Sequence, residues 1–378
     1  MKNRMYRQII GWFLVLLVGG CVDPYRPAEI TSPDSYLVVN GFFDSAPGTT
    51  TRITLSRSQN LSDPKAPTAE TRARVTIESA RNAIYTLSEG SGGVYSLSGV
   101  TPLSGETYRL HIRTASGGDY YSDYVPVLKT PAIDSISWYP EDDGLQINVN
   151  THDSNNNTRY YRWEFDETWA YVAAYYSSYE YDPKTRQVNP RTENVYNCWG
   201  SGNSKNIIVN STTRLSQDIV SQYPLIRIPS TSIKFQVKYS ILVRQYALSQ
   251  EGYNYYDQLA RITQNIGSIF DPQPSQVTGN IRSTNKPADL VLGFFRVGDI
   301  VSKRIFISKT QLPPSWRAYT GNPCEVDTLS LGEIQDLQPG IINIVDPPQS
   351  AQYTTSSIDC VDCRIRGGVN KKPEFWEN

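Results

Sequence analysis

The sequence predicts a mostly β protein, and three observations support this fold class. Short segments alternate apolar and polar residues with the two-residue period of a half-buried strand, as at 51–56, 73–78 and 108–113. Turn residues rich in Gly, Ser and Pro separate these segments at close spacing. The chain of 378 residues contains 26 Tyr, 7 Trp and 10 Phe, so it has enough large apolar side chains to bury a core.

The first twenty residues carry the pattern of an export signal. Lys2, Arg4 and Arg7 precede the apolar run 9–18, which is too short to span a bilayer because a spanning helix needs about 20 residues. Small residues then precede Cys21, as in the signal of a bacterial lipoprotein. We therefore expect residues 1–20 to be removed and fatty acyl chains, palmitate among them, to anchor Cys21 to a membrane. An ordinary signal peptide with a chance cysteine is the alternative.

The region after the signal is predicted to be a tether followed by a β-sandwich. Residues 21–35 contain three prolines and no apolar period, which is typical of a linker. Seven short strands then follow within 36–128. They are 36–43, 51–56, 73–78, 83–87, 94–97, 108–113 and 120–127. This density of strands favours an immunoglobulin-like or prealbumin-like sandwich.

A second β-rich domain is predicted over 129–345, beginning at Lys129-Thr130-Pro131. Residues 133–138 and 145–150 flank the acidic turn 141–144, which indicates a hairpin. Further strands are predicted at 159–165, 169–181, 233–246, 290–298 and 303–308. One helix is expected near 249–266, because Ser249 can cap it and apolar residues follow at helical spacing. Residues 346–378 form a cysteine-containing C-terminal tail.

The cysteines other than Cys21 are Cys198, Cys324, Cys360 and Cys363. An even number in an exported protein predicts two disulfides, for which three connectivities exist. Half of a zinc site or a redox motif at Cys360-Val-Asp-Cys363 is the alternative, but the second close pair and the βαβ context are lacking. We expect Cys324 to pair with Cys360 or Cys363, and Cys198 with the other, because the irregular tail needs to be tied down.

Charge and motif content narrow the possible functions. Lys and Arg total 36 against 37 Asp and Glu, and this near-neutral balance argues against nucleic-acid binding. The sequence has two His and lacks the G-x-S-x-G, H-E-x-x-H and P-loop motifs, so we assign no catalytic residue, metal or cofactor and expect no enzyme. The segment from Asp153 to Glu164 mimics a calcium loop, but Thr158 replaces the glycine of the turn, which favours a polar hairpin loop.

The densest unusual feature is an aromatic run that contains Trp169, Tyr171, Tyr175, Tyr176, Tyr179 and Tyr181. In one continuous strand, alternation would place Tyr176 on one face and the other five rings on the opposite face. A core strand would more often contain Val, Ile and Leu, and buried hydroxyls would all need partners. We therefore expect several of these rings to be partly exposed and to contact a ligand or partner. A core strand or an aromatic sheet surface is the alternative.

Several segments together resemble a known family. They are 267–275 with 279–281, 292–295 with 304–307, and the tail segments 360–364 and 367–376. With Cys21-Val-Asp-Pro24, they resemble a large family of Bacteroidota outer-membrane lipoproteins named only as a domain of unknown function. The resemblance covers nearly the whole mature chain. Three short triplets also match the O-glycosylation pattern of exported proteins in this phylum, at Ser45, Ser135 and Thr328.

The resemblance implies a partner but no chemistry. Such lipoproteins are often encoded beside SusC-like TonB-dependent transporters, so we expect an accessory or binding lipoprotein of the outer membrane that serves nutrient uptake, with an unknown ligand. An adhesin-like or envelope-assembly lipoprotein without a soluble ligand is the alternative, and a hydrolase is a third hypothesis. Surface lipoproteins of this phylum usually carry an acidic cluster after the lipidated cysteine. Here only Asp23 lies close to Cys21, and Glu29 and Asp34 follow further on. The sequence therefore predicts neither exposure at the cell surface nor retention in the periplasmic leaflet.

Overall fold

The computed structural model describes residues 35–59, 63–264, 277–286, 289–318, 321, 323–336, 342–345 and 352–376. The predicted signal, Cys21, nearly all of the tether, the segment 267–275 and part of the tail lie outside these residues. Within the described part of the chain, no helix combines the length and the apolar character needed to cross a membrane.

The N-terminal region folds as a set of short strands, as predicted. They are β1 (Leu37–Asp44), β2 (Thr50–Arg57), β3 (Arg74–Ser79), β4 (Ile84–Thr86), β5 (Ser88–Glu89), β6 (Val94–Ser98), β7 (Thr107–Arg113), β8 (Asp119–Ser122) and β9 (Val125–Leu128). Alternate side chains face inward, so Leu37, Val39, Ile53 and Leu55 are buried in one core. The large ring of Tyr108 fills the same core.

The middle of the chain forms longer strands and one long helix. They are β10 (Ile133–Glu141), β11 (Gly144–Asp153), β12 (Tyr160–Val172), β13 (Tyr179–Asp182), β14 (Gln187–Pro190), β15 (Asn197–Asn203), β16 (Ile208–Ser211), β17 (Asp218–Pro229), β18 (Lys238–Ala247), α1 (Gln250–Gln264), β19 (Ile281–Ser283), β20 (Val291–Leu292), β21 (Val297–Gly298) and β22 (Val301–Ser308). The predicted helix is confirmed, and the hydroxyl of Ser249 caps it by accepting from the Gly252 N–H at 3.1 Å.

A second core lies between two sheets of this middle region. One sheet has the order β10-β11-β17 and the other has the order β15-β12-β18-β22, with β16 also paired to β12. Tyr161, Trp163 and Phe165 of β12 face the core, and Arg162 and Glu164 alternate with them. The outer face of β12 therefore carries the charged residues Arg162 and Glu164, and both line a cavity.

Three stretches of the middle region differ from the predicted strands, and one of them, 290–298, forms only the short strands β20 and β21. Residues 169–181 do not form one strand, because β12 runs without a break through the acidic residues Asp166 and Glu167 and ends at Val172. Arg244 pairs with Asp166, and Lys234 pairs with Glu167, so these charges are tolerated inside a strand. The predicted strand 233–246 begins instead with a 3₁₀ turn at 233–235.

Strands β19, β20 and β21 join the N-terminal sheet, although their sequence region was predicted to belong to the second domain. β19 pairs with β8, and both β20 and β21 run parallel to β1. Glycine permits the close approach: a Cβ at Gly293 would lie 2.3 Å from the Val39 carbonyl oxygen, and one at Gly279 would lie 1.7 Å from the Gly293 carbonyl oxygen. Side-chain alternation specifies a face of a strand but not its partner, so this pairing was not predicted.

The C-terminal part is tied down by two disulfides, which confirms that prediction. Cys198 pairs with Cys363, and Cys324 pairs with Cys360. The elements of this part are β23 (Asp327–Ser330), α2 (Leu331–Asp336), β24 (Ile342–Ile344), β25 (Gln352–Ser357) and α3 (Ile358–Val361). β25 lies between β23 and β24, so the disulfide-bonded segment is a small sheet.

Candidate functional site

A cavity of about 660 Å³ lies between the N-terminal sheet, the outer face of β12 and β18, and the helix α1. This volume falls within the range of small-molecule sites. The cavity lies where the parallel pairing of β1 with β20 and β21 is interrupted. Val38 of β1 pairs with Leu292 of β20, and pairing resumes at Phe43 of β1 with Val297 of β21. Residues between these pairs, including Phe42 and Arg296, line the cavity.

Arg296 is the most unusual residue of the cavity. It is 5% exposed, and its guanidinium carbon lies 4.0 Å from the ring centroid of Phe42 and 4.8 Å from that of Tyr246. Among the residues that the structure describes, no hydrogen-bond acceptor reaches Nη1 or Nη2. Burial lowers the pKa of Arg296 to about 10, so the group stays charged at neutral pH. A buried cation without an acceptor is costly, and such groups cluster at functional sites.

The backbone on both sides of Arg296 is held in place. The Phe43 N–H donates to the Arg296 carbonyl oxygen at 3.0 Å. The Asn280 side chain accepts from the Phe295 N–H and donates to the Phe295 carbonyl oxygen, both at 2.8 Å. The backbone position of Arg296 is therefore fixed by hydrogen bonds. Among the described residues, its charge is stabilised by aromatic faces and by the nearby Asp44 carboxylate, without a direct hydrogen bond to Nη1 or Nη2.

A second group of polar residues lies on the outer face of β12 and β18. Arg162 forms an ion pair with Glu164, and its guanidinium carbon lies 4.3 Å from the ring centroid of Tyr256. The Tyr246 hydroxyl donates to Glu164 Oε2 at 2.6 Å. Burial and the neighbouring Glu164 carboxylate raise the pKa of Tyr246 to about 12, so this hydroxyl keeps its proton at neutral pH.

The remaining wall of the cavity is apolar and aromatic. The ring centroids of Tyr255 and Phe294 lie 5.7 Å apart, and those of Tyr255 and Tyr256 lie 5.1 Å apart. Burial raises the pKa of Tyr255 to about 12. Leu259 and Leu292 also line this side. The cavity thus combines a charged end with an apolar wall and is suited to a ligand that has both characters.

The charged lining residues leave a small positive excess. Three arginines, Arg52, Arg162 and Arg296, face two carboxylates, Asp44 and Glu164, so the formal sum is +1. Asp44 already accepts a backbone hydrogen bond from Ala46 at 2.9 Å, and Glu164 already bonds Arg162 and Tyr246. Arg296 is the cation of this set that lies deepest and has no carboxylate of its own among the described residues.

Two tyrosines of the predicted aromatic run contact the C-terminal part. Tyr171 is 2% exposed and its hydroxyl donates to the Cys363 carbonyl oxygen at 2.9 Å, so this ring is not among the several that were expected to be partly exposed. The Tyr175 hydroxyl donates to the Cys324 carbonyl oxygen at 2.8 Å. Both tyrosines therefore attach the disulfide-bonded C-terminal part, because each satisfies a carbonyl of a cysteine in that part.

The other rings of the run are exposed to different extents. Tyr176 is 62% exposed and packs against Tyr196, whereas Trp169, Tyr179 and Tyr181 are half-buried. The expected division of faces fails because residues 173–178 form no strand. None of the six rings lines the cavity within the described residues, and contact of the exposed ones with a ligand or partner stays a prediction.

The remaining sequence candidates occupy ordinary surroundings. The Asp153 carboxylate accepts from the backbone N–H groups of Asn155, Asn157 and Thr158 at 2.9–3.0 Å, which supports a polar loop over a calcium loop. The loop joins β11 and β12 of two different sheets, so the expected hairpin is wrong. In the described part of the chain, no cluster of metal-ligating side chains is present. Of the three O-glycosylation candidates, Ser135 and Thr328 are exposed and Ser45 is half-buried, and their modification stays a prediction.

The cavity was not predicted from the sequence, because the residues that line it come from distant parts of the chain and form no sequence motif. One local signal was present: Arg296 is the single charged residue in the apolar stretch 290–298. A charge inside a strand-like apolar run is unusual and marks a position with a special environment.

Over the described residues, fold and cavity together define a β-rich protein with two large cores, two smaller apolar clusters and a cavity of small-molecule size. Residues 22–304 match the family model described as Domain of unknown function (DUF4249), and the chain belongs to this family. No functionally curated protein matches the chain. The matched range includes every lining residue of the cavity, but it ends before Cys324 and the tail segments on which the resemblance partly rested.

Proposed function

We propose that the protein is a lipid-anchored binding lipoprotein of the outer membrane that presents a small ligand to a TonB-dependent transporter during nutrient uptake. The lipoprotein signal that ends at Cys21 supports the anchor. The resemblance to lipoproteins encoded beside SusC-like transporters supports the partner. The proposal assigns no catalytic residue and no cofactor.

The cavity at Arg296 is the observation that carries the binding role. Its volume of about 660 Å³, its apolar wall and its buried cation are the features of a ligand site. A structural lipoprotein would gain nothing from a buried arginine whose terminal nitrogens have no acceptor among the described residues, because such a group lowers stability. This observation favours a binding lipoprotein over an adhesin-like or envelope-assembly role.

The anchor is tested with Cys21→Ser in the protein's own host. Wild-type protein should incorporate a fatty-acid probe and float with outer membranes, whereas the variant should stay an unlabelled precursor. Labelling of the variant at the wild-type level would contradict the anchor.

The partner is tested by affinity purification of the tagged full chain from detergent-solubilised membranes. We expect mass spectrometry to identify a TonB-dependent transporter at near-stoichiometric amount, and the same purification of Cys21→Ser to recover much less of it. Recovery of the lipoprotein without a transporter, at equal yield, would contradict the proposed partner.

A further inference from the structure

We propose that the cavity binds small monocarboxylates that have a flat apolar body, with the carboxylate held by Nη1 and Nη2 of Arg296. This inference rests on the proposed binding function of the same cavity and adds the class of ligand.

The charge of the ligand follows from the surroundings of Arg296. The guanidinium is 5% exposed and its terminal nitrogens have no acceptor among the described residues, so an anion would supply the missing hydrogen bonds. The lining carries an excess of one positive charge, because Arg52, Arg162 and Arg296 face Asp44 and Glu164. A single negative charge on the ligand balances this excess, whereas a dianion would be repelled by the Glu164 carboxylate.

The geometry of Arg296 favours a carboxylate. The rings of Phe42 and Tyr246 lie 4.0 Å and 4.8 Å from its guanidinium carbon, and a guanidinium donates hydrogen bonds in its own plane, along its edge. A planar carboxylate matches this edge with two parallel hydrogen bonds. Because the two nitrogens are buried, binding needs a side-chain adjustment that turns them toward the cavity, and such rotamer changes are common at binding sites.

The body of the ligand follows from the opposite wall. Tyr255, Phe294, Leu259 and Leu292 present aromatic and aliphatic surface next to the charged end. Aromatic rings stack favourably on such surface at centroid distances of about 4.5–7 Å. An aromatic or flat aliphatic body would bury this apolar area, which an inorganic anion cannot do.

The first test is isothermal titration of the purified full chain in detergent with phenylacetate. Phenylacetamide is the matched neutral probe. Inorganic phosphate, kept as the monoanion by titration at mildly acidic pH, is the anion of equal charge without an apolar body. We expect phenylacetate to bind at least ten-fold more tightly than either. Equal affinity for phenylacetamide would overturn the role of the charge, and tighter binding of phosphate would overturn the carboxylate assignment. No measurable heat with phenylacetate would also count against the proposal.

The second test uses variants of Arg296. Arg296→Met should weaken phenylacetate binding at least ten-fold without lowering the melting temperature, because the variant loses no hydrogen bond from Nη1 or Nη2 to any described residue. The matched control is Arg304→Met, since Arg304 also stacks on a ring, at 3.7 Å from the Phe375 centroid, but does not line the cavity. It should bind phenylacetate like the wild type.

A further variant keeps the proposal testable if Arg296→Met does not fold. Arg296→Lys retains the charge but not the two-pronged geometry, so it should bind phenylacetate several-fold more weakly. Wild-type affinity in Arg296→Lys would overturn the bidentate contact. These titrations need neither membrane nor transporter, so their failure leaves the proposed partner untouched. Failure to recover a transporter, in turn, leaves the carboxylate site standing.

Discussion

At the scale of single residues, a tyrosine can lie in a core when its hydroxyl finds an acceptor, and Tyr171 does so. Its acceptor, the carbonyl of Cys363, lies 192 residues away in the chain. The sequence shows the aromatic run but not this distant partner, so it does not reveal that Tyr171, unlike the five partly exposed rings of the run, is buried. Arg296 is the reverse case. It is a buried charged residue in an apolar stretch, and its Nη1 and Nη2 have no hydrogen-bond acceptor among the described residues.

Replacement of Tyr171 tests its anchoring role. Tyr171→Phe should lower the free energy of unfolding by about 1–2 kcal/mol, because the buried Cys363 carbonyl loses its donor. Urea denaturation measures the change. Tyr176→Phe is the control, since Tyr176 is 62% exposed and should lose little. Equal losses in the two variants would show that the Tyr171 hydrogen bond contributes nothing.

The pKa of His152 tests the contact between His152 of β11 and Asp134 of β10. His152 Nδ1 lies 2.8 Å from Asp134 Oδ2, and this hydrogen bond raises the pKa of His152 above its ordinary value of 6.5. Because the folded pKa is raised, the stabilising ion pair is fully present below pH 6.5 and is lost as the pH rises through the folded pKa. Histidine NMR titration should give a midpoint above 6.5, and Asp134→Asn should lower it. An unchanged midpoint in the variant would exclude the contact.

At the scale of secondary-structure elements, alternation and turn residues predicted most strands, and apolar spacing with Ser249 predicted α1. The strand predictions failed where ion pairs or close backbone contacts determine the structure. β12 continues through Asp166 and Glu167 because Arg244 and Lys234 neutralise them from neighbouring elements. The attachment of β19–β21 to the N-terminal sheet depends on backbone contacts that only glycine permits, and periodicity carries no such information.

The close contact at Gly279 can be tested by substitution. In Gly279→Ala, the new Cβ would lie 1.7 Å from the Gly293 carbonyl oxygen, so the segment that carries Arg296 must move. We expect the free energy of unfolding to fall by about 1–3 kcal/mol. Gly332→Ala is the control: it lies in α2 without a close neighbour and should be neutral or stabilising by up to about 1 kcal/mol. Similar effects of both changes on chemical denaturation would contradict the packing described.

The disulfide between Cys324 and Cys360 stabilises the C-terminal sheet. It closes a loop with a sequence separation of 36 residues. Closing a loop of that length contributes about 4 kcal/mol in the chain-entropy model. The double variant Cys324→Ser with Cys360→Ser should therefore unfold at lower denaturant and be cleaved sooner by protease within 324–360. Wild-type protein treated with reductant loses the Cys198–Cys363 disulfide as well and should therefore be no more stable than the double variant. Unchanged stability in the double variant would show that other contacts hold this part.

At the scale of the whole molecule, the fold class and the two disulfides were predictable, and the cavity was not. Its lining comes from positions between 38 and 300, on strands of both cores and on α1. Only the pairing of 291–298 with β1 places Arg296 beside Phe42 and Tyr246. Long-range strand pairing is the step that sequence patterns describe least well, so a site that depends on it has no motif.

The most direct test of the account is a crystal structure of the protein with 4-bromophenylacetate, located by the anomalous signal of bromine. The account predicts one strong bromine peak inside the cavity, beside Tyr255 and Phe294, with both carboxylate oxygens about 3 Å from Nη1 and Nη2 of Arg296. A bromine peak only on the exposed rings near Tyr176, or a carboxylate that contacts Arg162 while Arg296 stays unpaired, would contradict it.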